Sequence, residues 1–97
     1  KDKREAKKIA KHLLDKKLVA CANFFPITSM YNWEGKLAEE NEFVLLLKTK
    51  KSNYLKVKEE VEKFHSYDVP CIAKLDVKFN EKYEKWLIGE LSQLIYF

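Results

Sequence analysis

Tyr31-Asn32-Trp33-Glu34-Gly35-Lys36 is the stretch on which the reading of the whole chain turns. It holds one of two glycines and one of two tryptophans in the chain. An alternating apolar run starting near Leu18 leads into it. A polar stretch, Leu37 to Glu42, leads out into Phe43-Val44-Leu45-Leu46-Leu47, the most hydrophobic run of the molecule. A glycine between two strand-like runs predicts a β-hairpin with its turn at Glu34-Gly35. Side chains alternate along a strand, so Tyr31 and Trp33 share one face near the tip.

Working outward on the N-terminal side, Val19, Cys21, Asn23 and Phe25 alternate with Leu18, Ala20, Ala22 and Phe24. Both faces are largely apolar, which predicts a strand covered on both sides. Pro26 predicts a bend, a bulge or an edge position. Alternation resumes through Ile27, Ser29, Tyr31 and Trp33, giving one long strand. On the C-terminal side the return strand runs over 36–40 and 42–49, and its apolar part, Phe43–Leu47, is expected in the sheet interior.

Beyond the ribbon, Ala6, Ile9, Ala10, Leu13 and Leu14 form one helical stripe over 2–17, with Lys16 and Lys17 in its last turn, where cations suit the helix dipole. Tyr54, Val57, Val61 and Phe64 predict a second helix over 52–64, with Ser52 as its N-cap. A non-helical connection, 65–70, leads into Cys71 to Val77, which alternates as a third strand. Its faces are Cys71, Ala73, Leu75 and Val77 on one side and Ile72, Lys74 and Asp76 on the other. Asn80 then caps a last helix carrying Tyr83, Trp86, Leu87, Leu91, Leu94 and Ile95.

The order α-β-β-α-β-α predicts an α+β layer, one sheet with helices on one face. It matches the ferredoxin-like βαββαβ arrangement plus a C-terminal helix, starting at the first helix; a first strand is expected before Lys1. The 97 residues are expected to form a single domain over 1–97. With 46% hydrophobic and 35% charged residues the composition is that of a globular protein. No apolar run approaches the ~20 residues that span a bilayer and no signal peptide opens the chain, so the cytoplasm is the expected compartment and no membrane partner is expected.

The net charge of +4 is uneven: residues 1–17 carry eight basic and three acidic side chains, a local +5, and the remainder sums to −1. These lysines fill the polar side of a helix without aromatic or base-reading groups among them, so a solvated face is expected and no nucleic-acid partner. Gly35 and Gly89 alone cannot build a glycine-rich phosphate loop.

Few residues offer chemistry. His65 and Cys71 flank a loop that also holds Tyr67 and Asp68. Thiolate and imidazole are soft ligands suited to copper or zinc, so these two are candidate metal ligands; the alternative is a loop histidine and a small core thiol. Cys21, among Val19, Ala20 and Ala22, reads most simply as buried packing. His12 is expected on the surface, facing away from the apolar stripe. The carboxylates at Glu39, Glu40, Glu59, Glu60 and Glu62 sit on polar segments with no hydrophobic pocket, which leaves general acid–base catalysis unsupported. Tyr31 and Trp33, at the end of a ribbon too long for one small sheet, are read as an interface.

Ala20-Cys21-Ala22-Asn23, then 29–36 (Ser29-Met30-Tyr31-Asn32-Trp33-Glu34-Gly35-Lys36), then Leu46-Leu47-Lys48-Thr49, then 65–70 (His65-Ser66-Tyr67-Asp68-Val69-Pro70), then Tyr83-Glu84-Lys85-Trp86-Leu87 resemble the CutA family of divalent-cation tolerance proteins in order and spacing. The Tyr-x-Trp-x-Gly-Lys segment is the most specific part. The resemblance implies a ferredoxin-like, PII-like fold and a tight homotrimer in which long hairpins pair between subunits. It places Tyr31, Trp33, Gly35 and Lys36 at the trimer interface, and Lys36 with Tyr67 at an inter-subunit cleft where a PII-like sensor or assembly module would bind a small molecule.

The resemblance also implies a link to copper tolerance and metal binding in bacteria and to acetylcholinesterase anchoring in animals, with no established catalytic activity; a non-enzymatic protein is expected. Copper or another divalent cation is the implied cofactor. Copper ligands proposed in the family include a cysteine on the first strand and a His pair before the Tyr. Here the pair is Phe64-His65, so His65 alone carries over. Ser66 stands where Pro is usual and Cys71 where Glu is frequent, so Cys71 and Cys21 are the thiols that would join His65.

Overall fold

The computed structural model of the chain describes residues 3–64 and 71–91. Helix α1 spans Lys3–Asp15, strands β1 and β2 span Cys21–Trp33 and Lys36–Lys48, a 3₁₀ turn covers Lys51–Asn53, and helices α2 and α3 span Tyr54–Phe64 and Glu81–Leu91. The two strands form one antiparallel ribbon in unbroken register, from Cys21 opposite Lys48 to Trp33 opposite Lys36. Thirteen residues per strand make it about 43 Å long. The chain is correspondingly elongated: its radius of gyration is 15.3 Å, against about 12.5 Å for a compact domain of this length.

The turn is the one expected. Glu34 and Gly35 both have positive φ, 50° and 80°, the two-residue type I′ geometry whose twist suits a hairpin. Gly35 takes this without strain and Glu34, with a Cβ, does not. Pro26 introduces no bulge. Counting from the hydrogen-bonded pair that flanks a two-residue turn, Pro26 opposite Phe43 is a non-hydrogen-bonded pair. Its missing N–H therefore faces the outer edge, which is the edge position that proline tolerates.

Helix α1 buries Ala6, Ile9, Ala10 and Leu13, the predicted stripe apart from Leu14, which is exposed. It ends in a Schellman motif: Leu18 N–H donates to Leu13 C=O at 3.0 Å and Lys17 N–H to Leu14 C=O at 3.1 Å. Lys17 adopts φ +60° at the position where glycine is usual. Ser52 falls inside the 3₁₀ turn and does not cap α2. The chain is held there by Thr49 Oγ1 donating to Leu18 C=O at 2.6 Å, and by Asn53 Nδ2 donating to the same carbonyl at 3.1 Å. Asn80 immediately precedes α3, and its carbonyl accepts Glu84 N–H at 3.0 Å.

The core sits at one end of the ribbon. Ile9, Leu13, Val19, Val57 and Val61 form it, with Leu18, Leu45, Leu47 and Ile72 packed against it. Leu45 and Leu47 lie on the ribbon face that α1 and α2 cover. The opposite face bears Phe25 and Leu46, both exposed. Strand β2 has apolar side chains on both faces but only β1 as a strand neighbour among the described residues, so the expected interior position is corrected to a sheet covered on one side.

The third predicted strand is also corrected. Residues 71–80 carry no strand assignment and share no ladder with β1 or β2. Of the segment's two predicted faces, Cys71, Ala73, Leu75 and Val77 are exposed; on the other, Ile72 packs on the core, whereas Asp76 and Lys74, its Nζ 5.6 Å above the Tyr54 ring, are exposed too. Helix α3 buries Leu87 and Leu91. Tyr83 ties it to the base of β2, with Lys48 Nζ 5.5 Å from its ring centroid.

Candidate functional site

The sequence-predicted site residues fall into two groups. At the ribbon tip, Trp33 is 64% exposed, and Tyr31 beside it is partly anchored, its hydroxyl donating to Glu40 Oε1 at 2.9 Å. Gly35 and Lys36 complete the turn and are exposed. Met30 and Leu37 lie on the opposite face, 62% and 67% exposed, diagonally across the ladder from one another. Large apolar side chains therefore stand in solvent on both faces of the distal ribbon. What holds that ribbon is the backbone ladder with polar cross-strand pairs: Thr28 Oγ1 donates to Asn41 Oδ1 at 3.2 Å and Ser29 Oγ to Glu42 Oε1 at 3.0 Å.

The second group is the candidate metal ligands. Cys21 opens β1 and is half-buried, its Sγ 3.8 Å from Asn23 Oδ1. Cys71 is an exposed free thiol beside Ile72, which corrects the alternative reading of a core thiol. His65 and Tyr67 lie outside the described residues. Among the described residues no group of three or more His, Cys, Asp or Glu side chains is placed to hold a metal. The surface depression along α3, lined by Glu81, Lys82, Glu84, Lys85, Ile88 and Gly89, takes in none of the predicted site residues.

One polar cluster escaped the sequence reading. His12 does not point away into solvent: its Nε2 donates to Glu60 Oε1 at 2.6 Å, and its ring lies 4.5 Å from that of Phe64. The Glu60 side chain is 3% exposed, with Lys63 Nζ 3.1 Å and Lys16 Nζ 3.6 Å from its oxygens. The His12 hydrogen bond, then that from Lys63, lowers the Glu60 pKa from 4.5 to about 2, with the Lys16 charge adding to them and burial opposing. The cluster pins α1 to α2. A signal for it was present. His12 lies three residues after Ile9, and Glu60 three after Val57, so both border their apolar stripes.

An α+β domain with a long two-stranded ribbon, helices on one face and exposed aromatics at the tip belongs to the ferredoxin-like class. The model of the CutA1 divalent ion tolerance protein family matches residues 1–90. The divalent-cation tolerance protein CutA of Pyrococcus horikoshii is 43% identical over 93 residues, 95% of this chain and 91% of that one. The solved structure of the periplasmic divalent cation tolerance protein CutA from Archaeoglobus fulgidus aligns with TM-score 0.90 at 38% identity, over 94% of this chain and 90% of that one. The PII-like protein CutA from Nostoc, in apo form, aligns at 0.84 and 26% identity, over 92% and 88%. The chain belongs to the CutA family of divalent-cation tolerance proteins, with its ferredoxin-like, PII-like fold. No helix among the described residues is long and apolar enough to cross a membrane.

Proposed function

We propose that the protein is a non-enzymatic, cytoplasmic homotrimer that takes part in tolerance of divalent cations and binds copper or a similar soft cation. The observation that carries the assembly is the placement of Trp33 on one face of the distal ribbon and Met30 and Leu37 on the other, all more than 60% exposed. Trp, Tyr and Met are the side chains enriched where protein surfaces meet. A two-fold pair would cover one ribbon face and leave the other wet. A closed ring of three gives every ribbon two neighbours and covers both. Membership of the CutA family supports the cation role.

The metal ligands on this reading are the imidazole of His65 with the thiols of Cys71 and Cys21, a donor set that suits a soft ion. Titration with Cu(I) and Cu(II) tests it: His65→Ala and Cys71→Ser each weaken binding at least tenfold, and unchanged affinity in both removes the site. A second reading is favoured by likeness to the PII-like protein CutA of Nostoc. On that reading a small molecule or a protein partner binds in the cleft between subunits, lined by Lys36 and Tyr67. A thermal-shift screen against nucleotides and small anions decides it, since a ligand selective for the folded assembly raises Tm with concentration.

A further inference from the structure

We propose that the outer face of α1 docks a linear, flexible phosphate polyanion of the inorganic polyphosphate class, a role independent of the metal site. At 100° per residue, Lys3, Arg4, Lys7, Lys8 and Lys11 fall within an arc of about 140°. That arc begins about 20° from Ala10, at the edge of the face buried through Ala6, Ile9, Ala10 and Leu13, and runs away from it. All five cations are exposed. Among the described residues Lys3, Arg4, Lys7 and Lys8 make no ion pair, and Lys11 makes a 3.7 Å contact with Asp15, the one acid inside the arc, at its C-terminal end.

The arrangement works against the helix that carries it. Lys3–Lys7, Arg4–Lys8 and Lys7–Lys11 are like-charge pairs at four-residue spacing. An anion laid along the stripe relieves this repulsion. The stripe is preorganised, because the opposite side of α1 is fixed in the core by Ile9 and Leu13. Binding therefore costs no folding.

The chemistry selects among polyanions. The stripe is convex, so a flat bilayer meets only its ridge, and no apolar wedge rises among the cations beyond the partly exposed Leu14. It holds no aromatic on which a base stacks and no amide that reads a base edge, so the bases of a nucleic acid gain nothing there. A chain that is phosphate throughout, and flexible enough to wrap the arc, uses every cation. Four of the five are lysines, point charges that need no bidentate geometry.

The test is fluorescence anisotropy of end-labelled polyphosphate with the whole protein across a salt series. Five contacts predict a slope of log affinity against log salt of about −3.5, using −0.7 per charge for a flexible strand. Replacing three of them, Lys3→Gln, Lys7→Gln and Lys11→Gln together, predicts about −1.4, with a Tm equal to or above that of the parent. Removing three exposed lysines elsewhere, Lys51→Gln, Lys78→Gln and Lys85→Gln, leaves the slope unchanged. Four results overturn the proposal: no binding, an unchanged slope in the α1 variant, a lowered Tm in that variant, or binding of duplex DNA or anionic phosphatidylserine vesicles as tight as that of polyphosphate at the same salt.

Discussion

The two ends of the hairpin ribbon are made of similar residues and live in opposite surroundings. At its base Leu45 and Leu47 lie under α1 and α2, against Ile9, Leu13, Val57 and Val61. At its tip Met30, Trp33 and Leu37 touch solvent on both faces. The base has a small core on one face, and the tip is held by its turn, its ladder and polar pairs such as Thr28–Asn41. Apolar side chains therefore mean different things along one element: at the base they stabilise the chain itself, and at the tip they stand exposed, where the proposed assembly would cover them.

Substitutions separate the two ends. The largest effect on the fold is expected at the base. Leu13→Ala, at the one core position with no exposure, costs about 2–5 kcal/mol in urea unfolding. Trp33→Ala at the tip leaves far-ultraviolet circular dichroism unchanged and lowers the assembled mass. A comparable loss of secondary structure at both sites would erase the distinction between them.

The His12–Glu60 clamp gives the base a pH signature that the tip lacks. A carboxylate with a lowered pKa contributes its stability above the ordinary value, and that contribution is lost as pH falls from 4.5 to about 2. Tm should fall through that window, and Glu60→Gln should have a lower Tm at pH 7 and a flatter profile below pH 4.5. An equally steep acid limb in Glu60→Gln would assign the loss to other carboxylates.

The smallest effects are gains. Lys17, at φ +60°, and Glu34, at φ +50°, hold left-handed backbone with a Cβ present. Lys17→Gly at the base and Glu34→Asn at the tip should each stabilise by about 1 kcal/mol, read as a raised denaturant midpoint.

What could be read without coordinates was what is encoded locally. Glu34-Gly35 specifies its turn through φ, and the α1 stripe its buried face through period. The CutA resemblance, carried by residues such as Tyr31, Trp33 and Gly35, supplied the fold and family. Residues 71–77 were misread because alternation describes a strand's faces and not its neighbour. The His12–Glu60 pair was missed because it joins residues on two helices, and stripe edges are ambiguous until the helices are docked. Ser52 was misplaced because it lies inside the 3₁₀ turn Lys51–Asn53, after which α2 starts at Tyr54. The candidate metal set remains divided between Cys21 and Cys71, which the fold places apart from the ribbon tip, and His65.

The most direct test of the central claim is the mass of the protein in solution by light scattering, set beside a variant carrying Met30→Ser, Trp33→Ser and Leu37→Ser. The account predicts three chain masses for the parent and one, still folded, for the variant. A parent that runs as a single chain would contradict it.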